Sequence, residues 1–299
     1  MKLFQLVAIV FLITVSMHCA TSGKFGIDYS KEAYESYKAD RLSTLQQPFG
    51  WPTLLGLFWL DEGKNSFGAG RSNELIFPEG MPERMGFFLK EKDQVSMTVE
   101  PNLNILIDGN PASSGRLFSD LDENKSTVNL DSYFWHIIKR NNQFGVRLRD
   151  TLHPSRLSLK EIPSYKFGKK WIIEASFKPG EKGQVVKMDN QVGMEIENPL
   201  AGTLTFTHRG EEHTLDALSG GEDALFVIIA DATSNVTTYG GGRYMYPKKA
   251  DANGKVILDF NRAENPPCVF TDYATCPLPP PQNILPFEVL AGEQVPADH

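Results

Sequence analysis

Asp259, Asn261 and Arg262 stand close together at the end of an apolar run, and Glu264 and Asn265 follow directly before Pro266-Pro267-Cys268. A second cysteine, Cys276, opens the run Cys276-Pro277-Leu278-Pro279-Pro280-Pro281-Gln282-Asn283. These residue types can take a proton, pair charge, donate from an amide and offer a thiol. Proline fixes its own φ and holds its predecessor extended, so Asn265 and Cys276 sit on stiff backbone. Such stiffness suits a ligand site and a structural loop equally.

A second cluster is Arg147-Leu148-Arg149-Asp150. On a strand Arg147 and Arg149 point to one face and Leu148 to the other. Two guanidiniums facing an interior require carboxylates or an anionic ligand, because an unpaired buried charge costs several kcal/mol. Arg243, Asp259, Arg262, Glu264 and Glu293 could complete that network, and Tyr239 and Tyr244 could add hydroxyls. The expectation is that Arg147 and Arg149 share an interior with Arg243 and Arg262, either around a small polar or anionic ligand or as a self-satisfied network. Asn261, Asn265 and Asn283 can present amides to a ligand or tie loop backbone as Asx turns. As an enzyme, the chain would be a hydrolase, with Asp259 or Glu293 as general base and Arg243 or Arg262 stabilising an oxyanion.

Other signatures are missing from the sequence. It has no HExxH, no CxxC pair and no His-x-His, and His208 and His213 beside the Arg209-Gly210 turn lack a third ligand, so no metal is expected. There is no Gly-x-Ser-x-Gly, and Asp150, His153 and Ser155 are too local to form a triad. Gly240-Gly241-Gly242-Arg243 has no helix after it and reads as a turn beside a guanidinium, not a phosphate cradle; no cofactor is expected.

The elements that must position these residues are mostly strands. Residues 29–47 read as a helix, with Ser30 to cap it and Pro48 to stop it. Thereafter short apolar or alternating runs, among them Gln94–Glu100, Tyr133–Arg140, Gly193–Asn198, Gly202–His208 and Lys255–Phe260, are separated by Gly, Asn, Asp and Pro. This pattern predicts a mainly β chain, an antiparallel barrel or sandwich with a short N-terminal helix, over residues 48–295. Within it a smaller unit (50–130) would precede a larger barrel (131–295), with Lys178–Lys182 as the most linker-like point.

The run DFNRAxNPPCxFTxYATCPLPPPxN, closing on Ala291-Gly292-Glu293, resembles the C-terminal signature of a widespread group of bacterial proteins catalogued only as a domain of unknown function. The resemblance continues through Tyr239–Arg243, Gly145–Asp150 and Gly50–Leu60, and spans residues 30–295 or so. One departure is Glu264, where the resemblance leads one to expect Tyr. It implies domain extent and no activity.

The 299-residue chain is 41% hydrophobic and 22% charged, in the globular range, with a formal net charge of −7. An acidic total without a long Lys/Arg cluster argues against nucleic acid as a partner. Met1-Lys2 and the apolar run Leu3–Met17 read as a signal segment over residues 1–22. Either Cys19 is lipidated or Ala20-Thr21-Ser22 holds an ordinary secretory cleavage site, so the expected location is the periplasm or a membrane-anchored lipoprotein of the cell envelope, attached through Cys19 alone. Export permits a Cys268–Cys276 disulfide; two packed thiols or one reactive thiol are the other readings.

Overall fold

The structure is a computed structural model and describes residues 28–296. The expected signal segment and Cys19 lie outside the described residues.

Helix α1 (Lys31–Leu45) starts where Ser30, in extended backbone, accepts a hydrogen bond from the Ala33 N–H at 3.1 Å. Only Tyr34 and Leu45 of this helix are buried. Polar contacts therefore dock it: Gln46 Nε2 donates to Leu159 O, and Tyr37 and Arg41 reach residues more than two hundred positions away.

The first half of the chain is a two-sheet sandwich. Its strands are β1 (Leu54–Trp59), β2 (Gly63–Gly68), β3 (Leu75–Ile76), β4 (Gly86–Glu91), β5 (Gln94–Val99), β6 (Leu106–Ile107), β7 (Asn110–Pro111), β8 (Ser114–Leu117), β9 (Val128–Leu130), β10 (Tyr133–Arg140) and β11 (Gln143–Asp150). One sheet runs β1-β11-β10-β9-β6-β7 and the other β3-β2-β4-β5-β8, antiparallel except for the β2–β3 pair. Phe67, Phe88, Val95 and Met97 from one sheet meet Trp135, Ile137, Val146 and Leu148 from the other in one core. Strand alternation then puts His136, Ile138, Arg140, Gly145, Arg147 and Arg149 on the opposite face of β10 and β11. That face turns toward the second half of the chain.

The second half follows a short turn, α2 (Ser155–Ser158). Its strands are β12 (Ile172–Pro179), β13 (Val185–Asp189), β14 (Glu195–His208), β15 (Glu211–Ser219), β16 (Leu225–Ile229), β17 (Arg243–Met245) and β18 (Lys255–Asp259). They form a half-barrel sheet in the order β17-β16-β15-β14-β12-β18, with β13 added to β14. The two strands expected at Gly193–Asn198 and Gly202–His208 are one, β14, with an irregularity in its pairing to β15 between Leu200 and Gly202. Gly202 is required there, because a Cβ would stand 2.4 Å from the Lys178 carbonyl oxygen.

The mainly antiparallel β class and the N-terminal helix thus stand. The expected division near residue 130 needs correction, since β9 pairs with β10 in one sheet; sheet membership changes between Asp150 and Ile172. Lys178–Lys182 is no linker either, as Lys178 and Pro179 are paired to β14. Beyond β18 the described residues form short 3-10 turns at Phe260–Arg262, Pro267–Val269 and Pro281–Asn283 and isolated bridges to earlier segments. This stretch seats Leu285, Val289 and Ala291 in the core of the half-barrel, with Trp171, Phe206, Val227 and Leu258. On the sheet's other face Tyr244, Ile228, Leu218 and Met188 pack with Cys268, Ala274 and Cys276, and Trp51 lies against them.

Candidate functional site

A cavity of about 270 Å³ lies where the outer face of β10 and β11 meets the cysteine loop. This is near the lower end of the size range of ligand pockets, ~300–1,000 Å³. Arg140, Arg147 and Trp51 contribute from the first half, Tyr244, Tyr246, Glu264 and Thr275 from the second, and Arg41 from α1.

Arg147 is the anomaly in this site. It is 6% exposed, yet no salt bridge reaches it among the described residues. Among the described residues its single side-chain hydrogen bond runs from Nη2 to Thr275 Oγ1 at 3.4 Å and its buried Nε has no partner, while its guanidinium lies 5.9 Å from the Trp51 ring centre. Desolvation, helped by Arg140 and Arg149, lowers its pKa to about 10, with Asp120 acting the other way. Neighbouring Arg140 is provided for: Nη1 donates to Asp120 Oδ2 at 2.8 Å and Nε to Thr275 Oγ1 at 3.1 Å. His136, opposite Arg147 in the ladder, is pushed down to about 4 by burial and then by Arg147.

Across the cavity the arrangement is acidic. Arg41 Nε stands between Glu293 Oε1 at 3.2 Å and Glu264 Oε2 at 3.3 Å, and Nη2 donates to Asn265 O at 2.8 Å. Tyr37 donates to Glu264 Oε2 at 2.8 Å, and the Asn265 N–H to Glu293 Oε2 at 2.6 Å. Burial raises both carboxyls above their ordinary range, Arg41 opposing it in each.

Cys268 and Cys276 form a disulfide, with Cα atoms 6.3 Å apart. The Cys268 N–H also points at Cys276 Sγ, 3.1 Å away, and Ala274 is buried beside them. The bridge thereby fixes Thr275, the hydroxyl shared by Arg140 and Arg147.

Several sequence expectations place residues elsewhere. Arg149 shares a strand face with Arg147 but does not line the cavity; it bonds Phe49 O and stands over the Phe49 ring, 5.4 Å away. Arg243 does not share Arg147's interior. In β17, Tyr244 faces the cavity side while Arg243 and Met245 face the half-barrel core. There Arg243, 1% exposed, pairs with Asp231 at 2.7 Å and donates to the carbonyls of Val289 and Ala291. Gly242 makes this turn possible: its φ is +84°, and a Cβ would strike Ile229 O and Pro279.

The two carboxylates expected as general bases are engaged away from the arginine cavity. Asp259 pairs with Arg262 at 3.2 Å and accepts from the Asn261 amide at 2.8 Å, and Glu293 is held behind Arg41. Asp150 accepts from the Leu152 N–H in a turn. Asn261 bonds Gly168 at both its N–H and its carbonyl, and Asn283 ties Asp216 to Ile228, so both amides serve backbone. Asn265 Nδ2 donates to Gln294 O. Tyr239 lines a separate open groove with Asn235 and Gln191. His208 and His213 pack on Phe287, and no group of three His, Cys, Asp or Glu among the described residues could hold a metal ion.

Sequence reasoning missed Arg41, Arg140, Thr275 and Asp231 as site or network residues. For Thr275 a signal existed, its place next to a cysteine in the proline-stiffened loop; the others look like ordinary helix, hairpin and loop residues.

Residues 158–294 match the family described as Protein of unknown function (DUF1684). That span includes Tyr244, Tyr246, Glu264 and the disulfide loop, and excludes Arg41, Arg140 and Arg147. No curated protein matches the chain. Among solved structures, an uncharacterized protein of Haloarcula marismortui determined by solution NMR is similar at 29% identity, over 48% of this chain and 81% of that one, with a TM-score of 0.41. The FhaA FHA domain, solved in complex with the intracellular domain of Rv3910, is similar at 13% identity over 31% of this chain and 97% of its own, with a TM-score of 0.22.

Proposed function

We propose that this protein is a binding protein whose cavity between β10–β11 and the disulfide loop takes a small anionic ligand. The observation that carries this reading is Arg147, a buried guanidinium that among the described residues meets one hydroxyl and one indole ring but pairs with no carboxylate. Leaving such a charge unpaired costs several kcal/mol, and an anion seated against it with two parallel N–H···O bonds recovers that cost. Arg140 and Thr275 add donors to the same wall. The disulfide and the apolar run Leu3–Met17 support an exported setting for this site.

Thermal unfolding of the full chain at constant ionic strength, with acetate, phosphate, sulfate or citrate added, tests the reading. A bound anion raises stability as RT ln(1 + [L]/Kd), so the midpoint should climb with concentration for at least one of the four and stay level in Arg147→Met. Equal responses of wild type and variant to all four anions would overturn it.

A further inference from the structure

We infer that the ligand is a small zwitterion, its carboxylate held at Arg147 and its cationic group at Glu264. This rests on the anion reading above and adds the second charge.

The argument is one of charge matching at two ends of a single cavity. At the first end two guanidiniums share one nearby carboxylate. Asp120 Oδ2 is taken by Arg140, so the charge of Arg147 is left over. At the other end the imbalance is reversed. One guanidinium, Arg41, stands between two carboxylates, Glu264 and Glu293, and no other cation pairs with either among the described residues. Tyr37 and the Asn265 N–H supply neutral donors, which ease the carboxylates without cancelling charge. Glu264 Oε2 takes both the Tyr37 and the Arg41 contact, while Oε1 takes none among the described residues. Of the two carboxylates only Glu264 lines this cavity; Glu293 lines a different one, beside Lys38 and Ser164.

The surplus charges do not cancel each other directly. Arg147 and Glu264 both line the cavity, and no ion pair joins them among the described residues. A plain anion would satisfy Arg147 and leave the Glu264 end short of a cation. A molecule bearing one negative and one positive group satisfies both. Glu264 acts on Tyr246, and Tyr244 pairs with Glu264 through the backbone, so two phenol rings stand next to the site for the cationic group. A desolvated ammonium gains from aromatic faces as well as from the carboxylate.

Calorimetric titration of the full-length protein decides this, using the ω-amino acids from glycine to 5-aminopentanoate, glycine betaine, and for each the matching plain acid and plain amine. We expect at least one zwitterion to bind ten-fold or more tightly than both its plain acid and its plain amine. Glu264→Gln should reduce that zwitterion to the affinity of its acid and leave acid binding unchanged, and Arg147→Met should abolish both. If plain acids bind wild type as tightly as the zwitterions, the zwitterion reading fails and the anion reading stands. If none of these probes binds and the four inorganic and organic anions above also leave stability unchanged, both readings fail. The wild-type series decides by itself should either variant not fold, and Arg147→Lys and Glu264→Asp serve as milder replacements.

Discussion

Arg147 and Thr275 are 128 positions apart in sequence, yet the guanidinium of one meets the hydroxyl of the other at 3.4 Å, across the seam between the sandwich and the half-barrel. Thr275 is also bonded by Arg140, so one hydroxyl spaces two cations. What keeps Thr275 in place is the adjacent disulfide.

Replacing both cysteines, Cys268→Ala with Cys276→Ala, should therefore do two things. Loss of a crosslink closing so short a loop costs about 2–3 kcal/mol by chain entropy, read from denaturant unfolding. Anion binding should weaken further than Thr275→Val alone weakens it, because the whole segment and not one hydroxyl is released. Equal binding by the double variant and wild type would show that Thr275 needs no bridge.

The Arg41 cluster makes an asymmetric prediction. Arg41→Met strands two buried carboxylates and should destabilise by about 3–5 kcal/mol. Glu264→Gln leaves Arg41 paired with Glu293 and keeps an acceptor for Tyr37. It should cost less than about 1 kcal/mol, the net worth of an ordinary hydrogen bond. Urea unfolding of the two variants checks the ordering.

His136 sets one part of the pH dependence. Its folded pKa is depressed from 6.5 to about 4 by burial and by Arg147. Between those values the unfolded chain binds a proton that the folded chain does not, so stability from this residue is present above about 6.5 and is lost as pH falls toward 4. Allowing for partial exposure, the loss is about 2 kcal/mol. Stability against pH for His136→Gln should be flatter than wild type in this window by that amount.

Glu264 has the opposite sign. Its pKa is raised by burial, so in the ligand-free protein its contribution to stability is full below its unfolded pKa and is lost as pH rises through the raised folded value. Zwitterion binding requires the ionised form and should weaken as pH falls through that value. Titrations at several pH values should show the decline for a zwitterion in wild type and a smaller one in Glu264→Gln.

Arg243 provides a contrast to Arg147. It is paired with Asp231, deep in the half-barrel core. Arg243→Met should cost about 3–5 kcal/mol by leaving Asp231 unpaired, and an Arg243→Met, Asp231→Leu double variant should recover much of that loss. Neither change should alter anion affinity in protein that remains folded.

Local pattern alone determined the β class, the Ser30-capped helix, the hairpin at Arg209-Gly210 with both residues at positive φ, and the rigid loop around the two cysteines. Each follows from a propensity, a turn or a proline acting within a few residues. The same pattern established that Arg147 and Arg149 share a strand face, and named Arg243, Glu264 and Glu293 as charges in need of partners. It could not say which faces meet. Arg147 and Arg243 look alike in sequence, and sheet packing sends one to a cavity wall where no carboxylate pairs with it among the described residues, and the other to Asp231 in a closed core. Arg41 looks like an exposed helix residue until α1 docks by its polar side onto the chain's last turns. A buried charge takes its meaning from the nearest opposite charge, and here that neighbour is set by long-range packing of sheets and helix, which short-range sequence does not encode.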